Sequence, residues 1–294
     1  MKVRLFWVIM ALIGISWVAN FIYAQSQKLE QPVFLNHFID VRTYDNQYVT
    51  FYYLTNKEDQ SFIQVVELGD IRGLPERVGS NDGVREIDQF GRYSLREVTV
   101  QFSPEMSGTP TAPQRFTEMN VYFSEEKPTT YPIGQIVFHP WEEQVQPFTF
   151  VSTHAGIHME ERVRIAEPIM IESVNNSFEN ELRDHLFVKL QSAQDFASEQ
   201  TAYEYGDKEW NEVKGTDARA VKFPVKLKTD DWLAIKSFID PELHAVLDMA
   251  IGLKGKTDTG EPFTVPAGYM YYPHLDKQAV QTIIRERTGA GSNE

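Results

Sequence analysis

Apolar and polar residues alternate with a period of two along most of the first half of the chain. In the segment LREVTVQF, Val98, Val100 and Phe102 point to one side of an extended backbone, while Glu97 and Thr99 point to the other. Short β-branched and aromatic runs of this kind, separated by turn residues, indicate antiparallel strands with one buried face. The same pattern recurs at 37–44, 47–54, 62–68, 117–123, 133–139, 146–160 and 168–174. We therefore expect an antiparallel β-sandwich-like domain over residues 33–175.

The second half of the chain, residues 176–294, changes period and predicts a mixed α and β region. Ser177 is a candidate helix cap, and the apolar residues that follow it are spaced by four. These residues are Phe178, Leu182, Leu186 and Leu190, although HLFVKL within this segment also fits a strand. Three further helices are expected, from Thr229 through Trp232 to Ile239, from Asp240 and Pro241 to Ile251, and from Asp276 through Val280 to Ile284. The predicted fold class is therefore α+β.

The N-terminal segment 5–24 contains twenty residues without a charge and follows Lys2 and Arg4. A helix of that length covers about 30 Å, which is the hydrocarbon thickness of a bilayer. Basic residues before such a segment favour a cytoplasmic N-terminus. We therefore expect a single-pass transmembrane signal anchor in the cell membrane. Residues 1–4 would be a cytoplasmic stub, 25–32 a spacer, and the bulk of the chain extracytoplasmic.

A cleaved signal peptide is the alternative interpretation of the same segment. Ala24 stands where a cut before Gln25 would release a secreted protein. The apolar run is longer than the usual core of a signal peptide, and Ile22 with Tyr23 fits the small-residue cleavage pattern poorly.

Charge and cysteine content narrow the function classes. The formal charge of −14 argues against a nucleic-acid partner, because nucleic-acid binding needs clustered Lys and Arg. The absence of cysteine excludes disulfides, thiolate metal sites and thiol catalysis. An exported chain without cysteine fits a bacterial cell envelope. We expect no cofactor.

Histidines and acidic residues form the candidate chemistry near the middle of the chain. His154 and His158 would chelate a metal on a helix, but the surrounding alternation indicates a strand, where they lie too far apart. No metal site is therefore expected. His158 and Glu160 share one strand face, where the carboxylate would raise the pKa of the imidazole. This pair is a candidate binding or proton-handling site, with an ordinary cross-strand ion pair as the alternative.

Two aromatic groups are candidate ligand surfaces. Trp141 stands beside acidic residues in a loop, and Tyr269, Tyr271 and Tyr272 lie together near the C-terminus. An aromatic ring offers a flat apolar face to a glycan or a peptide. The alternative is that these rings pack onto the edge of the domain.

No standard catalytic motif occurs in the sequence, so no catalytic residue is assigned. We expect a membrane-anchored extracytoplasmic protein that binds or assembles with an envelope protein partner. A first alternative is an envelope glycan or peptide hydrolase, whose carboxylates would lie beside His139 or His158; the candidate carboxylates are Glu142, Glu143, Glu160 and Glu161. A second alternative is an accessory regulator of a neighbouring membrane protein.

Overall fold

A computed structural model describes residues 2–42, 47–76, 83–102, 112–124, 127–140, 145–154, 158–192 and 208–288. The side chains at 2–5, 8, 9, 24, 26, 42 and 268–270 lie outside this description. Within these ranges the chain forms two α-helices and eighteen strands, and the fold is therefore mostly β.

The strands of the first half are β1 (Val33–Phe34), β2 (Asn36–Arg42), β3 (Gln47–Asn56), β4 (Ile63–Leu68), β5 (Ile71–Pro75), β6 (Val84–Phe90), β7 (Tyr93–Phe102), β8 (Gln114–Phe123) and β9 (Thr129–His139). The strands of the second half are β10 (Phe148–His154), β11 (His158–Ile165), β12 (Ile169–Asn175), β13 (Leu186–Ser192), β14 (Thr216–Asp217), β15 (Val225–Leu227), β16 (Trp232–Ile239), β17 (Ala245–Thr257) and β18 (Pro262–Tyr271). The helices are α1 (Lys2–Ser26) and α2 (Lys277–Thr288).

Sheet A has thirteen strands and runs through both halves of the chain. Its order is β1-β3-β7-β5-β4-β8-β9-β2-β17-β12-β15, with β6 beside β7 and β18 beside β17. Most neighbours are antiparallel, but β2 lies parallel to both β9 and β17. Because β2 and β17 pair, the segments 33–175 and 176–294 share one sheet. Their division into separate regions stays a prediction.

The first half of sheet A curls around its own apolar core. Val98, Val100 and Phe102 are buried on the inner face of β7, as the alternation predicts. Phe51 on β3 and Phe138 on β9 contact Phe102 from neighbouring parts of the sheet. Each ring contributes about 150–250 Å² of buried surface, so these contacts dominate the packing energy here.

Sheet B has five strands in the order β10-β11-β16-β13-β14 and packs face to face against β2, β12 and β17 of sheet A. Its inner face presents Val163, Ile235 and Leu190 to the shared core. Phe178, in the turns before β13, is fully buried there and meets Phe38 of β2 at 5.6 Å. Sheet B and these three strands of sheet A therefore form a β-sandwich.

The α+β expectation for residues 176–294 is wrong because most of its helices are strands or turns. Leu186 and Leu190 are both buried on one face of β13, and a spacing of four fits period two as well as period 3.6. The segment after Pro241 makes one 3-10 turn, which ends at His244 in the left-handed region, and the chain then continues as β17. Strand β17 is buried on both faces over much of its length, and a continuous apolar run of this kind imitates a helical stripe.

The C-terminal helix α2 is present as predicted. The carboxylate of Asp276 accepts a hydrogen bond from the backbone N–H of Ala279 at 2.7 Å, which caps the first turn. Val280 and Ile283 face a small apolar cluster that includes Leu29 and Val33. The helix is thereby fixed against the start of sheet A.

The expectation of a transmembrane helix at 5–24 is wrong. Among the residues that the structure describes, no helix is both long and apolar enough to cross a bilayer. Gly14, Ser16 and Asn20 interrupt the apolar run of α1.

Candidate functional site

A groove of about 1010 Å³ lies between α2, the segment that precedes β1, and the start of β9. We call it the α2 groove. Ligand sites usually occupy about 300–1,000 Å³, so its volume matches the upper end of that range. Its lining includes Lys28, Glu30, Val33, Tyr131, Gln281 and Arg285.

Local hydrogen bonds hold the wall of the α2 groove that precedes β1. The side chain of Asn56 donates to the carbonyl of Leu29 at 2.8 Å and accepts from its N–H at 3.0 Å. The hydroxyl of Tyr93 donates to the carbonyl of Gln27 at 2.6 Å. These bonds fix an otherwise irregular segment, so this wall is in place before any ligand arrives.

Basic side chains predominate among the charges of the α2 groove. Among the described residues, Lys28, Arg285 and Arg287 line it together with one acidic residue, Glu30. The guanidinium of Arg287 donates to the side-chain oxygen of Asn36, and burial lowers its pKa. In a chain with a formal charge of −14, this is a local reversal of sign.

A second polar cluster lies on the face of sheet B that points away from the shared core. Lys236 is 1% exposed, and its Nζ donates to the carbonyl of Lys214 at 2.9 Å and to the side-chain oxygen of Gln191. Glu160 lies 3.9 Å from this Nζ and pairs with Arg162. Burial lowers the pKa of Lys236 to about 8, and the Glu160 carboxylate partly opposes that shift.

His158 belongs to an aromatic stack beside this cluster. Its ring stacks on Trp210 at 6.0 Å and on Phe238 at 5.0 Å. Lys189 donates to the carbonyls of Trp210 and Val213 at 2.7 and 2.8 Å, which ties this segment to β13. Burial lowers the pKa of His158. The sequence predicts that Glu160 would raise this pKa. In the structure the Glu160 carboxylate lies beside Arg162 and Lys236 instead.

His154 and His158 lie on different strands, although the sequence places them on one. His154 ends β10 and pairs across the hairpin with Glu160 of β11. Among the described residues, no group of three or more His, Asp or Glu side chains is arranged to hold a metal ion. The expected absence of a metal site stays a prediction.

The predicted tyrosine group is divided by the structure. Tyr271 is buried in the core between the sheets, and Tyr272 is 44% exposed and contacts Tyr52 of β3 at 5.3 Å. Tyr269 lies in β18, but its side chain is outside the described set, and so is the whole of Trp141. The described members therefore do not gather around His158, and their role as ligand contacts stays a prediction.

His139 forms a cluster with Asp40 and Ser177, which sequence reasoning missed. Both partners approach the same ring nitrogen, Nε2, and the Ser177 hydroxyl donates to the Asp40 carboxylate at 2.9 Å. A serine nucleophile needs its hydroxyl on one imidazole nitrogen and the orienting carboxylate on the other. The cluster therefore lacks the geometry of an acyl-transfer site.

The hydrolase alternative gains no support from the residues described. Glu160 lies on β11 of sheet B, on the same strand as His158, whereas His139 lies on β9 of sheet A. Glu161 pairs in register with Thr153 on the hairpin of β10 and β11. Glu142 and Glu143 lie outside the described residues.

The sequence contains a signal for the buried Lys236 but none for the charged α2 groove. Lys236 interrupts the apolar run WLAIKSFI, and a lone cation in such a run indicates a buried charge. Lys28 and Arg285 come from opposite ends of the chain, and no local pattern brings them together.

No family model matches the chain, and no curated protein matches it. Among solved structures, the chain is similar to the MSCRAMM ACE of Enterococcus faecalis, described as binding its ligands by the collagen hug model. The identity is 8%, the match covers 85% of this chain and 97% of that chain, and the TM-score is 0.23. The collagen-binding domain of the Erysipelothrix rhusiopathiae surface protein RspB is 10% identical, with 81% and 93% covered and a TM-score of 0.21.

The secreted serine protease VesC from Vibrio cholerae is 9% identical. The match covers 81% of this chain and 50% of that chain, with a TM-score of 0.18. At TM-scores this low, none of the three likenesses carries an argument about fold or function.

Proposed function

We propose that this chain is an extracytoplasmic binding protein and that the α2 groove takes a negatively charged, extended segment of a partner protein. The observation that carries the proposal is the groove itself, with three cations and one acid in an otherwise acidic molecule. Complementary charge steers a partner and fixes its orientation more than it adds affinity. An acidic segment would therefore be repelled by most of the protein surface and attracted to the α2 groove.

The remaining lining suits a polypeptide. Gln278, Gln281 and Thr282 project from α2 with amide and hydroxyl groups that can donate to and accept from a peptide backbone. Val33 and Tyr131 also line the groove, although both side chains are mostly buried. An extended segment presents backbone N–H and C=O groups along its length, whereas a small anion presents only acceptors.

An extracytoplasmic location is part of the proposal. Helix α1 carries large apolar side chains that no other part of the described structure covers; Trp7, Trp17 and Phe21 are 64–75% exposed. Exposed apolar surface of this extent serves a further interaction. We infer that α1 directs export and is then removed before Gln25. Mass spectrometry of the N-terminal peptide should show that the chain in the extracytoplasmic fraction of expressing bacteria begins at Gln25. Recovery only in the cytoplasm with Met1 intact would contradict export.

Fluorescence anisotropy with a labelled oligoglutamate peptide tests the groove. We expect saturable binding that weakens with salt, because surface charges are screened within about 8 Å at physiological ionic strength. Arg285→Glu should weaken binding about tenfold, the usual size of one lost and one repulsive surface contact.

Lys254→Glu is the matched control, because Lys254 is exposed on β17 and does not line the groove. It makes the same change in net charge. Equal weakening by both variants would show a non-specific charge effect and would overturn the groove assignment. Absence of oligoglutamate binding to the unmodified chain would overturn the acidic partner.

A further inference from the structure

Six strands pair with a single neighbour among the described residues, and five of them carry features that hinder pairing with another strand. An open edge presents unpaired N–H and C=O groups, and proteins usually protect it by shortness, charge, proline or cover. Strands β1 and β14 have two residues each, and β15 has three. Strand β6 carries Arg85, Glu86 and Asp88, and β18 carries Pro262 and Pro266.

Strand β10 is the exception. It has seven residues, FTFVSTH, without an acidic residue, a lysine, an arginine or a proline. It ends sheet B and pairs with β11 on one side. Residues 149–154 are exposed on both faces, and the side chains include Phe150 at 60% and Val151 at 44%. An exposed, uncharged edge strand of this length is the type that associates with another strand.

One protective feature remains on β10, and it does not hide the apolar side chains. The register to β11 shifts between Phe150 and Ser152, so Val151 is an extra residue in a β-bulge. A bulge bends its strand and re-aims side chains. Here the bulged residue Val151 and its neighbour Phe150 both stay exposed to solvent.

We propose that β10 is a docking edge for β10 of a second copy of this chain. The two strands would run antiparallel about a two-fold axis and join the two copies of sheet B into one continuous sheet. This inference does not depend on the α2 groove.

Charge singles out β10 as the edge strand at which two copies of the chain can meet. Two acidic chains repel each other at most surfaces, and β6, the other edge strand of the same length, would place Glu86 opposite Asp88 if it paired with its copy about its centre. Like charges directly opposite each other destabilise a strand pair. Strand β10 places only neutral and apolar residues at the axis, and a two-fold contact makes each favourable contact twice.

Single-cysteine cross-linking tests the proposal, because the chain has no cysteine of its own. Cysteine is introduced singly at Thr149, Phe150, Val151, Ser152 and Thr153 in the full chain, which is then treated with copper phenanthroline. A disulfide needs Cβ atoms about 3.5–4.5 Å apart, and only a residue near the two-fold axis meets its own copy at that distance. We expect a disulfide-linked dimer that peaks at one of these positions and falls away on both sides.

Ile87→Cys on β6 is the matched control, since Ile87 is also an exposed apolar residue on an edge strand. It should stay monomeric under the same treatment. A second variant combines the cysteine that gives the highest yield with a lysine at a neighbouring position of β10. This lysine should abolish the dimer, and circular dichroism should show that the fold is retained. A flat profile along β10, a yield no higher than at Ile87, or dimers that survive the added lysine would overturn the proposal.

Discussion

We expect the buried Lys236 to make the stability of the folded protein depend on pH. Its ammonium group is buried on sheet B, and its pKa falls from 10.5 to about 8 on folding. Between these two values the unfolded chain holds a proton that the folded chain has lost. Unfolding therefore takes up a proton, and the free energy of unfolding rises with pH in this window.

The size of the effect follows from the same two pKa values. One pKa unit corresponds to about 1.4 kcal/mol, so this lysine alone should add up to about 3 kcal/mol of stability between pH 8 and pH 10.5. Below pH 8 the cost of burying the charge is fully present. Burial also lowers the pKa of Lys189, so the wild-type curve alone does not isolate Lys236.

The assay is urea unfolding of the wild type and of Lys236→Met at pH 7, 8, 9 and 10.5, followed by circular dichroism. Methionine keeps most of the length of the side chain and removes the titrating group. We expect the difference in free energy between the two proteins to change by about 3 kcal/mol from pH 8 to pH 10.5, in favour of the wild type. Parallel pH curves for the two proteins would refute the reasoning, whatever the offset between them.

Three other predictions concern the packing of sheet A and of the core between the sheets. His37 is buried, and desolvation lowers its pKa to about 3. The free energy of unfolding should therefore fall by up to about 4–5 kcal/mol as the pH drops from 6.5 to 3, and His37→Gln should reduce that loss in an acid titration. Gly134→Ala places a Cβ 2.7 Å from the carbonyl oxygen of His37 at a φ of +83°, and urea unfolding should show a loss of more than about 2 kcal/mol. Gly91→Ala, with a φ of +68° and no atom within 4 Å, should lose only about 1 kcal/mol, and equal losses would contradict the clash. Phe178→Ala should cost about 3–5 kcal/mol in the same assay because the ring is fully buried, and a loss below about 1 kcal/mol would contradict its place in the core.

Strands β3, β7 and β8 could be predicted because each buries mainly one face, whereas β6, which is exposed on both faces, was not predicted. The alternation around Val98 survives in β7, where inner and outer residues differ in polarity. The second half misled the same reasoning, because β17 is covered on both faces over much of its length and β16 is almost entirely buried. When both faces of a strand are apolar, period two disappears from the sequence.

The candidate sites show a similar division. The pattern placed His158 and Glu160 on one strand face, but it could not show that Trp210 would cover the imidazole or that Lys236 would approach the carboxylate. The α2 groove depends on residues before β1 meeting residues near the C-terminus. That meeting is a consequence of tertiary packing, so the sequence alone did not predict it.

Hydrogen–deuterium exchange with and without the oligoglutamate peptide tests the central claim most directly, because it locates the ligand on the full chain. Binding in the α2 groove predicts slower amide exchange in the segment 27–34 and in α2, with sheet B unchanged. Protection confined to other segments, or none at saturating peptide, would contradict the assignment of the groove as the binding site.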